Sequence, residues 1–182
     1  TQMEFFSRML QDFAEQSPDD DIYEAIGAGF YNLLPDAAIT VNSYDHESGT
    51  LTVRAVMGER VRDYAIRHFG KDFIGHAIRV DENVPERVLS GKVHHIEKNL
   101  YNVMFRHLPK EACDNITDAL NLGEFYSVGL VWNGVLFGNI TFGLLKGAPL
   151  TNAPIIEIYA RAASIALRRW IGTRCDRITT AC

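Results

Sequence analysis

Residues 125–147 read FYSVGLVWNGVLFGNITFGLLKG, and after a short Pro-containing break residues 152–170 read NAPIIEIYARAASIALRRW. Two apolar β-type segments flank Asn133-Gly134. That dipeptide favours a two-residue hairpin turn, because both central positions of a type I′ turn need positive φ. An amphipathic helix over 152–171 then follows, with Ile155, Ile158, Ala162, Ile165 and Arg169 near a three-four repeat. A hairpin of two long strands closed by a helix fits the second half of an α+β domain.

Working back from this unit, the rest of the chain supplies an N-terminal half. Met3, Phe6, Met9, Leu10 and Phe13 fall at helical spacing, which predicts an amphipathic helix over 2–16. Pro18 breaks it, and Asp19 or Asp20 is placed to cap a second helix running to about Leu34, where Pro35 stops it. Ala37 to Tyr44 and Thr50 to Met57 read as a strand pair around the polar turn Asp45–Gly49. A helix from Glu59 to Phe69 would put Val61, Tyr64, Ala65 and His68 on one face. Phe73 to Val80 reads as a strand or an extended connector, Val84 to Leu89 as a short helix, and Lys92 to Ile96 as a short strand. Leu100 to Leu122 is irregular or helical, with a helix start at Pro109-Lys110-Glu111 and a stop at Gly123. The fold class expected is α+β: an antiparallel sheet of about five to six strands, flanked by N- and C-terminal helices, with helices on one face and a ligand-sized space on the other.

The hydrophobic rhythm of Val128 to Phe142, followed by Ile155 to Arg169, resembles the closing hairpin and helix of the GAF family. Ala38 to Asp45 with Leu51 to Gly58 resembles its opening hairpin, and Gly75 with Val88 to Ile96 its crossover. The resemblance covers about Asp21 to Arg169. PAS domains are the nearest related fold, but the helix–hairpin–crossover–hairpin–helix order favours GAF. It implies one GAF-like sensory domain over 1–182, with its core at about 21–170. It further implies a small molecule or cofactor as ligand and a cytoplasmic signalling protein, such as a sensor histidine kinase, as parent.

Bulk properties fit that expectation. Hydrophobic residues make up 47% of 182, enough for a sizeable core. The net charge of −5, without a long basic run, disfavours nucleic acid as a partner. No apolar stretch approaches the roughly 20 residues that span a bilayer, so no membrane contact is expected. Cys113, Cys175 and Cys182 show no metal-type pairing and fit a reducing compartment. The chain opens on Thr and stops soon after a helix, and is read as a piece of a longer polypeptide.

No phosphate-cradling loop, dinucleotide fingerprint or His-Glu-x-x-His occurs, and the carboxylates are scattered, so the chain is expected to bind rather than catalyse. The pocket is expected between the sheet and the segments Phe73 to His76 and Tyr101 to Cys113, with Tyr126 as its floor. His94 and His95 are neighbours in a strand, so only one faces that pocket. His107 lies near Tyr101, Met104 and Phe105, a neighbourhood suited to a flat ligand. The candidate ligand-binding residues are therefore Phe73, His76, His94, His95, Tyr101, Phe105, His107, Cys113 and Tyr126.

Three rival readings remain open. One is a haem-based redox or gas sensor using His94, His95 or His107. Another is a GAF-type methionine sulfoxide reductase using Cys113, whose family needs several clustered cysteines, whereas Cys175 and Cys182 lie beyond the closing helix. The third is a structural dimerisation module. Phytochrome-type GAF domains attach bilin through a Cys next to a His, and this chain lacks that dipeptide. The Asn-Lys-Phe-Asp-Glu set of cyclic-nucleotide-binding GAF domains does not map onto it. The resemblance to sensor modules also implies a homodimer through the terminal helices.

Overall fold

The structure, a computed structural model, describes residues 1–96 and 99–180, with the backbone alone over 177–180. Asn133 and Gly134 hold φ of 47° and 73°, and the turn they form joins β5 (Leu122–Trp132) to β6 (Val135–Leu145). Positive φ at both centres gives a turn whose twist matches the strands, and the hairpin pairs from Trp132–Val135 to Leu122–Leu145, its register shifting between Leu130 and Val131 and again between Leu122 and Phe125. It lies inside a six-stranded antiparallel sheet of order β3-β2-β1-β6-β5-β4. The other strands are β1 (Ala38–Asp45), β2 (Thr50–Met57), β3 (Ala77–Arg79) and β4 (Val93–Ile96). Of the Phe73 to Val80 run, Ala77–Arg79 forms the strand; Gly75, with φ of 87°, bends the approach while its N–H donates to the Val53 carbonyl at 2.8 Å.

Alternation gives this sheet two unlike faces. Ile39, Val41, Val128, Ile140 and Phe142 are buried on one of them. Onto it pack α1 (Gln2–Glu15), α2 (Ile22–Leu33) and α7 (Ala153–Thr180). Tyr159 of α7 is the centre of that layer. Its ring lies 5.8 Å from Phe13 and 5.7 Å from Phe30, and its hydroxyl donates to the Ile26 carbonyl at 2.7 Å. The second face carries Val53, Ile78 and Phe125, packed against Ala65, Phe73, Cys113 and Ile116. Those residues belong to α3 (Val61–Phe69), α6 (Lys110–Ala119) and the connectors. With α4 (Val84–Val88) and α5 (Leu100–Val103), these helices put α-structure on both faces, where the sequence reading placed it on one.

A single extra residue in β2 settles which side chains reach which face. Val41 pairs with Ala55, but Asn42 pairs with Val53, so Arg54 has no residue opposite. Such a bulge reverses the alternation along its strand. Leu51 and Val53 therefore face the second layer, whereas Ala55 joins Ile39 and Val41 beneath α2.

Several expectations are corrected at element ends. Asp21, rather than Asp19 or Asp20, caps α2, its carboxylate accepting from the N–H groups of Tyr23 and Glu24. The closing helix runs to Thr180, beyond the expected end at 171. Asn121, with φ of 51°, follows α6, and Gly123 already lies in β5. Met3 and Leu10 are 80% and 57% exposed; Met9 and Phe13 form the buried face of α1.

Gly129 is the point at which α4 stands on the sheet. A Cβ there would lie 2.1 Å from the Val88 carbonyl oxygen, so only glycine allows the helix end to touch the backbone of β5. Replacing Gly129 with Ala should force α4 off the sheet and cost about 1–3 kcal/mol, read as a lower urea midpoint with an unchanged slope.

Candidate functional site

Between the second face of the sheet and the segments that carry α4 and α5 lies a cavity of about 470 Å³, within the range of sites for drug-sized ligands. Its floor is polar. Thr40 and Asn42 of β1, Asn139 and Thr141 of β6, and Ser127 of β5 stand side by side because these strands are neighbours in register. Its walls are largely apolar, with Leu51, Val53 and Ile78 at one end, Val84 and Val88 at another, and Met104 with Phe105 across the roof, and they also carry the polar side chains Asn83 and Asn102. Phe105 and Arg106 hold φ of 49° and 62°, which folds the chain after α5 back over the opening. Asp81 and Arg87 are exposed at the mouth, and Arg106 Nη2 donates to Asp81 at 3.4 Å.

The floor is hydrogen-bonded along its length. Asn42 Nδ2 donates to Asn139 Oδ1 at 2.9 Å, and Asn139 Nδ2 donates to Ser127 Oγ at 2.9 Å. Asn42, Ser127 and Asn139 are all buried, and buried side-chain amides are stable only when so partnered. None of these residues was singled out by the sequence reading. The signal was present: Asn is depleted in strands, yet Asn42 and Asn139 sit mid-strand between β-formers.

The sequence-derived candidates divide. His94 and Phe105 line the cavity, and His94 Nε2 lies 3.0 Å from Ser90 Oγ. His95 borders it, but its exposed ring hydrogen-bonds Glu124 and lies 5.2 Å from Tyr126. Tyr126 is not the floor. Strand parity turns it to the first face, where it stacks on Phe142 at 5.5 Å. Phe73 is buried in the second core beside a smaller void of about 50 Å³. Tyr101 packs on that same core, outside the main cavity. His107 is exposed, its Nε2 3.2 Å from the Arg79 carbonyl oxygen. His76 keeps Nε2 buried without a partner. Burial, helped by Lys71 and His107, holds its pKa below the ordinary histidine value.

Cys113 is wholly buried on the inner side of α6 and does not line the cavity. Burial pushes its thiol up to about 11, with Asp114 adding to the shift. A thiol so protonated is a poor nucleophile near neutral pH. Cys175 is exposed on α7, and Cys182 lies outside the described residues. Among the described residues no group of three His, Cys, Asp or Glu side chains could hold a metal ion.

No family model matches the sequence, and no curated protein matches it. Similarity appears in three dimensions. The GAF domain of Acinetobacter phosphoenolpyruvate-protein phosphotransferase superposes with a TM-score of 0.63 at 12% identity, over 92% of this chain and 93% of that one. The chromophore-binding domain of Stigmatella aurantiaca bacteriophytochrome gives 0.63 at 12% identity over 92% of this chain, which spans only 60% of that longer structure. The second GAF domain of DevS from Mycobacterium smegmatis gives 0.56 at 15% identity over 90% and 99%. The fold of the chain is that of GAF domains.

The Cys113 environment has a direct check. At pH 8, iodoacetamide should leave Cys113 unmodified in the folded protein and label it after denaturation, as mapped by peptide mass spectrometry. The raised folded-state pKa favours the protonated thiol, so its contribution is complete below the ordinary thiol value of 9.0. It should be lost as pH rises from there through about 11.

Proposed function

We propose that the chain is a sensory module that holds a small molecule in the cavity between its sheet and the α4–α5 segments. The observation that carries this is the cavity itself, apolar walls over a hydrogen-bonded polar floor, the combination by which proteins seat and orient small ligands. GAF domains of several parent proteins, a phosphotransferase and DevS among them, share the fold. The parent is read as a cytoplasmic signalling protein, with a sensor histidine kinase as the favoured type. Among the described residues no helix is long and apolar enough to cross a membrane.

The route from cavity to output runs through one carboxylate. Glu157 of α7 accepts from the Val93 N–H at 3.1 Å and from Lys92 Nζ at 3.1 Å. Burial raises its pKa, but those two donors outweigh it and hold the carboxyl below the usual range. Val93 adjoins His94 on the cavity wall, so a shift of β4 on ligand binding is delivered to α7. A bistable packing of that helix is then the output.

Homodimerisation through the terminal helices belongs to the same reading. Ile158 and Ile165, seven residues apart on α7, are 51% and 45% exposed, and Met3 and Leu10 are exposed on α1. A dimer should sediment at micromolar concentration, and Ile158→Glu with Ile165→Glu should yield monomers. A wild-type monomer removes this part of the reading for the isolated chain.

Native mass spectrometry of protein purified from its own host tests the ligand itself. The expected result is an adduct released on unfolding, without a Soret band in the absorption spectrum. A covalent tetrapyrrole does not fit, because no cysteine is among the described lining residues. Haem would need His94, whose Nε2 is engaged with Ser90. A Soret band abolished by His94→Ala would replace the small-molecule reading with the haem one.

A further inference from the structure

The sheet changes character along its strands beneath the cavity. Register sets Thr40 of β1, Thr141 of β6 and Ser127 of β5 side by side, so one row of the floor is hydroxyls. Two residues along on the same face, the row is Ala38, Gly143 and Phe125: a methyl, a bare backbone and a ring. Ala38 and Gly143 put little side-chain volume on the sheet, and the void of about 50 Å³ lies over them, with Phe73, Leu100 and Ile116 around it. The two spaces meet. Thr40 and Thr141 belong to the lining of both, and so do Val103 and Met104.

The void is chemically unlike the cavity it adjoins. Thr40 and Thr141 are the only described side chains along it that carry nitrogen or oxygen, and both stand at the shared end. Water needs several polar partners to settle in such a space, so this one suits apolar atoms. At about 30 Å³ for a water-sized group, a volume of about 50 Å³ takes roughly two heavy atoms. Met104, unbranched and adaptable, stands where the two spaces join.

Building on the small-molecule reading above, we propose that the void is one end of the ligand site, and that the site takes a molecule with a compact apolar terminus, methyl- to ethyl-sized. The body of the molecule lies in the main cavity, over the hydroxyl row. The terminus passes Met104 and seats over Ala38 and Gly143. Phe73, Leu100 and Ile116 close around it, so the site measures the size of that end.

Methyl-resolved NMR titration of the protein with phenol, 4-ethylphenol and 4-tert-butylphenol tests this. 4-Ethylphenol should bind about tenfold tighter than phenol. It should also shift the methyls of Leu100 and Ile116, which line the void and not the main cavity. 4-tert-Butylphenol, though more apolar, should bind no tighter than 4-ethylphenol. Ile116→Phe, which puts a ring at the void, should bring the affinities for phenol and 4-ethylphenol together. The wild-type series decides the matter even where that variant does not fold. An ethyl group that shifts only Leu51 and Val84 of the main cavity, or an affinity that keeps rising through the tert-butyl compound, overturns the subsite. Binding of phenol in that case leaves the cavity as a ligand site. If none of the three perturbs either set of methyls, the subsite and the small-molecule reading both fall.

Discussion

Everything in this molecule depends on three adjacent strands keeping two chemistries apart. In β1, β6 and β5 the sequences Val41-Asn42, Asn139-Ile140 and Ser127-Val128 place an apolar and a polar side chain next to each other along the backbone. The pleat sends them to opposite sides. Val41, Ile140 and Val128 become fully buried under α2 and α7, and Asn42, Asn139 and Ser127 form the cavity floor. A slip of one residue in any of these pairings would bury the amides among aliphatic side chains and expose the valines to the cavity. The cost of unpartnered amides in the helical layer therefore fixes the register, and the register builds the site.

The parts of the fold written locally were legible in the sequence. Asn133-Gly134 gave the turn, the apolar runs on either side gave its strands, and the spacing of Ile155 to Arg169 gave the closing helix. What could not be read was anything set by a partner strand. The extra residue Arg54 has no signature of its own, yet it decides that Val53 and Ala55 face opposite ways. The face of Tyr126 depends on register rather than on its own strand's sequence; pairing with His95 and Phe142 puts it on the side opposite the floor. Cys113 lies with Ala112 and Ile116 on the buried face of α6, in the core that holds Phe73 and Phe125, and so away from the cavity. The floor amides carry no titratable signature, because this cavity floor is built from neutral side chains.

The two layers are not independent. Tyr159, held by Phe13, Phe30 and the Ile26 carbonyl, fixes α7 against the sheet near its N-terminal end. Glu157 lies two residues away and ties the same turn to the edge strand β4. A rigid anchor beside a polar tether is a favourable arrangement for a pivot. In the proposed relay the aromatic contacts resist translation, and the carboxylate, bridging Lys92 and Val93 at the start of β4, follows small movements of that strand.

The length of α7 gives this pivot a mechanical meaning. At about 1.5 Å of rise per residue, the helix from Glu157 to Thr180 is an arm of roughly 35 Å. A tilt of about 5° at the pivot, a fraction of an ångström at the tether, then swings the tip by about 3 Å, more than half a helical pitch. If α7 relays the state of the cavity as proposed, a displacement too small to disturb the strands would be magnified mechanically at the helix's far end.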